Sequence, residues 1–232
     1  MAEDEIARLK RTYERYDAQP RVGRDNPGER LIHEDRDRRV LASLERWSRD
    51  WRSLRILDLG CGVGRLLGTL AGWGASPTRL TGVDLMPARI EAARASFPQI
   101  RFEVTNAERL PFDDGAFDLV CCFTVFSSIL DEVTAAGVAA EVRRVLQPGG
   151  AVVWYDLRYD NPANPNVRGL TSHALRTLFP GFELDVRPTT VLPPLARRLG
   201  PLTRFLYPCL SALPPLNTHY LGLLRSTGAG RR

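Results

Sequence analysis

The chain has few of the residues that most often build metal and redox chemistry. Its 232 residues include only four cysteines and three histidines. The cysteines, Cys61, Cys121, Cys122 and Cys209, form no C-x-x-C pair, and the histidines, His33, His173 and His219, are scattered. That spacing offers no zinc site, so no metal is expected. The cysteines read as buried free thiols. Cys121 and Cys122 are adjacent in an apolar run, which on a strand turns their side chains to opposite faces. Lysine is almost absent: Lys10 is the only one, and arginine carries the positive charge. A GC-rich genome produces that bias without any arginine-specific function. No apolar run approaches the roughly 20 residues of a membrane span. The first residues, MAEDEIARLK, lack the basic start and apolar core of a signal peptide. A cytoplasmic protein with no membrane span is expected.

The formal charge of +5 and pI near 9.3 raise the question of a polyanionic partner. From Met1 to Arg55 there are 14 basic and 12 acidic residues, interleaved. From Arg176 to Arg232 there are 8 basic and 2 acidic, so the excess sits at the C-terminal end. There it is spread among prolines and leucines, with no RNA-binding signature. A solvated basic face is the expectation, and nucleic acid is not an expected partner.

Hydrophobic content of 44% and 232 residues suit one sizeable core with room for a cap or insertion. Ile6, Leu9, Tyr13 and Tyr16 recur at helical spacing, and Leu31 to Trp47 reads as a second helix after a turn-rich linker at Arg21 to Glu29. Strands are expected at Arg55–Leu59, Leu80–Asp84, Ile100–Val104, Phe117–Val125 and Ala151–Asp156. Helices alternate with them, at about Gly64–Ala71, Met86–Ala95 and Asp131–Leu146, the last stopped by Gln147-Pro148-Gly149-Gly150. Such alternation means an α/β fold with a mostly parallel sheet and helices on both faces. Beyond Asp156 a polar loop leads to a short helix at Thr171–Leu178 and a strand at Phe182–Val191. Residues 192–217 form a Pro/Leu-rich insertion too apolar for a disordered linker. His219–Leu224 reads as the last strand, before a frayed tail from about Ser226.

The chemistry concentrates in RILDLGCGVGRLL, Arg55 to Leu67. An apolar strand carrying Asp58 runs into Gly60, Gly62 and Gly64, then into a helical start. Glycines in such a turn let backbone N–H groups approach a ligand that a Cβ would exclude. Asp84 ends the next strand 20 residues past Gly64, where a carboxylate can accept both ribose hydroxyls of a nucleoside cofactor. Glycines at alternate positions differ from the G-x-G-x-x-G of pyrophosphate binders, which need a helix N-terminus aimed at phosphate. A carboxylate at the loop, Asp58, suits a cationic ligand better.

These motifs, with VTNAERLPFDDGAFDLV and EVRRVLQPGG following in order, resemble the class I S-adenosylmethionine (SAM) methyltransferases, in the small-molecule branch called type 11. The match runs over residues 54–157, nearly half the chain. The resemblance implies a Rossmann-like, seven-stranded, mostly parallel sheet with helices on both faces and a final antiparallel strand. It implies SAM as cofactor, held by Asp58, Gly60, Cys61, Gly62, Gly64, Asp84, Leu85, Asn106, Ala107, Glu108 and Phe123. Asn106 stands where the family usually has Asp; an amide oxygen can still accept from the adenine amino group. The whole chain, 1–232, would be one methyltransferase domain, with residues 1–30 as a helical cap or lid and 192–217 lying over the substrate side.

Methyl transfer to a small-molecule oxygen or nitrogen, in biosynthetic tailoring, is the activity this implies. Candidates for a general base are His173, His219, Tyr155 and Asp156, with Arg158 and Tyr159 at the same edge; His33 sits in a strongly charged helix. Pure alignment of the nucleophile is the alternative. Tyr13 and Tyr16 could close over the cofactor or serve as cap core. The insertion suits an apolar roof, a homodimer contact or a membrane-surface patch. The rival readings are an RNA or peptide methyltransferase, a nicotinamide-dependent reductase and a non-catalytic SAM-binding partner. An NPPY-type tetrapeptide of base-directed enzymes is absent; Phe123-Thr124-Val125-Phe126 stands there.

Overall fold

The computed structural model describes residues 2–19 and 26–227. The linker expected from Arg21 lies outside them as far as residue 25, as does the end of the expected tail. Two helices come first, α1 (Ala2–Asp17) and α2 (Pro27–Trp47). Asn26 caps α2, its side chain accepting from the Gly28 and Glu29 N–H groups, and Pro27 opens the first turn. β1 (Ile56–Leu59), α3 (Arg65–Gly72), β2 (Leu80–Asp84), α4 (Pro87–Ser96) and β3 (Arg101–Val104) form the first half of the domain. β4 (Phe117–Phe123), α5 (Glu132–Val145), β5 (Leu146–Leu157), α6 (Ser172–Leu178) and β6 (Phe182–Val191) form the second. α7 (Pro193–Arg198), α8 (Thr203–Ser211) and β7 (Asn217–Ser226) complete it.

Seven strands make one sheet in the order β3-β2-β1-β4-β5-β7-β6. β1 pairs in parallel with β2 and β4, β2 with β3, and β4 with β5. β7 runs antiparallel between β5 and β6. This is the seven-stranded, mostly parallel sheet with a final antiparallel strand that the motifs implied.

Both faces of the sheet are covered, because alternate residues point to opposite sides. Ile56, Leu80, Leu119, Cys121 and Val153 pack with Val40, Leu44, Leu67 and Ile90 from α2, α3 and α4. Leu57, Leu59, Val120, Cys122 and Trp154 pack with Val138, Val142 and Phe179 on the α5 and α6 side. The neighbours Cys121 and Cys122 thus enter different cores, as expected. Cys61 is buried too, but Cys209 is exposed on α8, against expectation.

Several strand ends differ from the sequence reading; β7 covers Asn217–Ser226 rather than His219–Leu224, and so takes in the start of the expected tail. β4 stops at Phe123, because Thr124 takes φ 55° and leaves the sheet. β5 starts at Leu146 rather than Ala151. Leu146 pairs with Phe117, the register then shifts, and Ala151 rejoins opposite Leu119. Gly149, at φ 80°, supplies the bend. The Pro/Leu insertion is ordered into α7 and α8. They pack on α2 and β6 through Ile32, Val191, Ala196 and Tyr207.

No helix among the described residues is long and apolar enough to cross a membrane. Phe126, fully buried just after β4, lies 5.0 Å from Trp154 and 5.8 Å from Phe179 between ring centroids. Phe126→Ala is expected to lower the unfolding free energy by about 3–5 kcal/mol. Urea titration should show a lower midpoint at an unchanged slope; a loss under about 1 kcal/mol would contradict this packing.

Candidate active site

Parallel strands leave a crevice at their carboxyl ends, where the order reverses between β1 and β4. The glycine loop closes one side of it. Gly60 and Gly62 take φ 70° and 54°, the left-handed region that favours glycine. The loop is tied across to β2: Cys61 N–H donates to the Val83 carbonyl at 2.9 Å, and Gly62 N–H donates to Asp84 Oδ2 at 2.8 Å. The other oxygen of Asp84 accepts from Met86 N–H at 2.9 Å. One carboxylate therefore holds both the glycine loop and the start of α4.

Above these strand ends lies a cavity of about 280 Å³, at the low end of the range for ligand pockets. Gly60, Asp84, Leu85, Asn106, Ala107 and Phe123 from the predicted set all line it. Asn106 is also a turn residue: its Oδ1 accepts from Glu108 N–H at 3.1 Å. Glu108 does not line the cavity, because its carboxylate turns back to accept from the Asn106 amide at 3.2 Å. Cys61, Gly62 and Gly64 belong to the same loop but do not line the cavity.

Asp58, in β1 next to the lining residue Leu59, does not itself line the cavity and is buried at 2% exposure. Burial, and secondarily the neighbouring Asp84, push its pKa up to about 8; Arg36 pulls the other way. A buried acid under such strain favours a cationic ligand. Arg36, on α2, was not singled out in the sequence. Its guanidinium lies 5.7 Å from the Phe123 ring and 5.8 Å from Tyr155. No local motif marks it, since it is one arginine in the run EDRDRR.

Helix α1 roofs the cavity with Ile6, Leu9 and Tyr13. It is latched by polar contacts. Tyr13 OH donates to Ser128 Oγ at 2.9 Å, and Glu5 Oε1 accepts from Leu130 N–H at 2.7 Å. Arg89, which lines the cavity, pairs with Asp17 at 2.7 Å and lies 4.4 Å from the Tyr13 ring. Tyr16 sits outside, its OH bonded to Asn164 Oδ1 at 2.9 Å.

None of the four candidate bases lines this cavity. His173 is exposed on α6. Asp156 is fully buried and accepts from Ser127 N–H at 3.0 Å and Leu157 N–H at 2.9 Å. Burial lifts its pKa to about 6. Tyr155 OH bonds Thr190 Oγ1 at 2.9 Å, and burial pushes the phenol up to about 12. His219 stacks on Tyr155 at 4.6 Å, with Nδ1 2.9 Å from Thr218 Oγ1. Burial, helped by Arg36, pushes it down to about 4. Phe123 connects this stack to the cavity, 5.4 Å from Tyr155. Among the described residues no cluster of His, Cys, Asp and Glu is arranged to hold a metal ion.

Comparison with known proteins agrees with this geometry. Residues 56–150 match the family model described as a methyltransferase domain. The chain is 34% identical to the O-methyltransferase cnsE of Penicillium expansum, over 46% of this chain and 39% of that protein. It is 37% identical to the phthiotriol/phenolphthiotriol dimycocerosates methyltransferase of Mycobacterium leprae, again over 46% of this chain and 39% of that one. The chain spans about a third to a half of the length of the curated relatives it matches. The fold matches the crystal structure of an S-adenosylmethionine-dependent methyltransferase from Mesorhizobium loti. The TM-score is 0.62 at 21% identity, over 88% of this chain and 100% of that one. Residues 56–150 therefore match a methyltransferase domain, and the fold around them is that of solved SAM-dependent methyltransferases.

Two outcomes are expected of this site. The raised pKa of Asp58 means that the folded protein binds a proton there which the unfolded chain releases near pH 3.9. Asp58 thus makes stability fall as pH rises from about 4 to 8, and a cationic ligand that favours the carboxylate binds more tightly over the same rise. SAM affinity by calorimetry should climb toward pH 8 in the native chain and lose that climb in Asp58→Asn; an unchanged profile in the variant would refute the assignment. For the roof, Glu5→Ala should speed hydrogen exchange of α1 amides by roughly tenfold, equivalent to about 1.4 kcal/mol. Equal protection in both proteins would show that Glu5 does not hold α1 down.

Proposed function

We propose that the chain is a SAM-dependent methyltransferase acting on an oxygen or nitrogen of a small, largely apolar molecule in biosynthetic tailoring. The observation that carries it is the cavity at the strand ends. It brings the Asp84 carboxylate and an apolar wall under one helical roof, with the buried acid Asp58 one residue from the lining Leu59. These residues fit SAM by charge and shape. Asp58 would take the ammonium end, Asp84 the ribose hydroxyls, Asn106 and Ala107 the adenine edge, and Phe123 would border the methionine end. Each Asp84 oxygen already accepts one backbone N–H and keeps a lone pair free for a ribose hydroxyl.

When bound, SAM supplies an activated methyl group on a cationic sulfur. The chain's task is then to align the nucleophile and exclude water. Ile6, Leu9 and Tyr13 do the excluding from above. Proton removal is poorly served near the cavity. His219, at about 4, is too weak a base for neutral pH, and Tyr155, at about 12, stays protonated. Asp156 spends its oxygens on backbone N–H groups. Alignment without a general base favours an acceptor that ionises readily or is already neutral and nucleophilic: a phenol, an enol or an amine. The names of two relatives, an O-methyltransferase of P. expansum and a phthiotriol/phenolphthiotriol dimycocerosates methyltransferase of M. leprae, support an oxygen acceptor on a small molecule.

The test is incubation with methyl-labelled SAM and a panel of apolar phenols, enols and amines. Label should pass to a subset, and the acid limb of the rate should follow each acceptor's own pKa, unmoved in His219→Asn. An acid limb shared by all acceptors and shifted in His219→Asn would mean that the protein supplies the base. Tight SAM binding with no label transferred to any extract would instead fit a non-catalytic partner.

A further inference from the structure

β6 runs antiparallel to β7, and β7 antiparallel to β5, so β6 points the same way as β5. Its carboxyl end, Val191, therefore opens onto the edge of the sheet that holds the cavity. α7 and α8 begin there. α8 carries apolar side chains on two faces. One face, with Thr203 and Tyr207, is buried against Ile32, Val191 and Ala196. The other faces outward. Phe205 and Leu206 lie on α8, flanked by Leu202 just before it and Leu213 two residues after it, at 71%, 41%, 59% and 51% exposure. Leu192, just before α7, is 42% exposed. A single exposed leucine needs no explanation, but five exposed large apolar side chains within 22 residues, led by a phenylalanine, do.

The charge around the stripe has one sign. After Asp185 the chain has no acidic residue. Arg198 and Arg204 are exposed at its border, and neither has a carboxylate partner among the described residues. Arg204 lies 5.8 Å from the Phe205 ring. Arg197 is taken by Glu29 at 2.7 Å. On the facing helix α2, Asp35 is paired with Arg38 and Arg39, and Glu34 with Arg30. Glu34 and Asp35 line a groove with Arg204, but the ion pairs they make among the described residues are with Arg30, Arg38 and Arg39. A second copy docked on the same face would bring like charges together with no carboxylate from this segment to answer them. An anionic lipid surface answers both the apolar stripe and the arginines.

We infer that α8 and the turn after it form a membrane-surface site. The Leu202, Phe205, Leu206 and Leu213 side chains enter the headgroup region of an anionic bilayer, and Arg198 and Arg204 contact its phosphates. The helix lies in the interface and does not span it. This surface does not depend on the methyl-transfer reading, and its test uses no cofactor or acceptor.

The full chain is mixed with vesicles of roughly three parts phosphatidylcholine to one part phosphatidylglycerol and sedimented. The protein should pellet with these vesicles and less with phosphatidylcholine alone, and added salt should weaken it. Leu202→Asp with Phe205→Asp should weaken binding by roughly tenfold or more. Both positions are exposed, so the double variant should keep its circular dichroism and melting temperature. Native protein that stays in solution, or a double variant that pellets equally well, overturns the proposal. So does a native dimer without vesicle binding that the double variant dissolves; that result assigns the stripe to a second copy of the chain.

Discussion

The Asp84 carboxylate is the fixed point of the site. It accepts the Gly62 N–H with one oxygen and the Met86 N–H with the other. The glycine loop, whose backbone would otherwise be free to wander through left-handed conformations, is thereby held to the end of β2. α4 starts from the same group. Leaving either N–H without its acceptor in this half-dry setting costs about 1–3 kcal/mol, so loop and helix stand or fall with one side chain. A residue that reads as a ligand contact is first of all a structural one.

The rest of the domain places chemistry at the carboxyl edge for a simple reason. Parallel strands all end on the same side, and the order reverses between β1 and β4. Several departures from regular structure gather there: the left-handed Gly60, Gly62 and Gly64, Thr124 at φ 55° and Thr190 at φ 66°. A β-branched residue at positive φ is costly, and such strain persists only where the surroundings enforce it. Thr124 N–H is held by the Tyr155 carbonyl at 2.7 Å, and the Thr190 hydroxyl by Tyr155 OH. Tyr155 thus serves as a brace between β4 and β6, stacked on His219, and its burial makes it inert toward protons.

Electrostatics divides the buried groups into those that serve as supports and one that is left waiting. Asp156 is satisfied by two backbone N–H groups, and Glu5 by Arg8 and the Leu130 N–H. Asp58 has no comparable set: burial and Asp84 both disfavour its charge. An acid whose protonated form is favoured by burial and by Asp84 gains most from a cation brought close to it.

The ordered motifs from Arg55 to Asp156 were legible because they are local. A glycine turn, an acid at a strand end and a buried apolar strand each follow from a few neighbouring residues. They determined the sheet, its faces and the cofactor class. The start of β5 at Leu146 and the end of β4 at Phe123 escaped, since both depend on a bulge and a strained turn that no periodicity records. Local reading also could not see that His173 stays outside, that Glu108 turns back onto Asn106, or that His219 and Tyr155 neutralise each other's promise as bases by burial. Arg36 lies some 87 positions from Phe123 in sequence, and only packing brings them together. The sequence by itself determined where the glycine loop and its acidic neighbours fall in the β-α alternation, because short-range backbone rules decide that. The tertiary structure alone decided which side chains face it, because burial and long-range contacts set both their reach and their proton affinity.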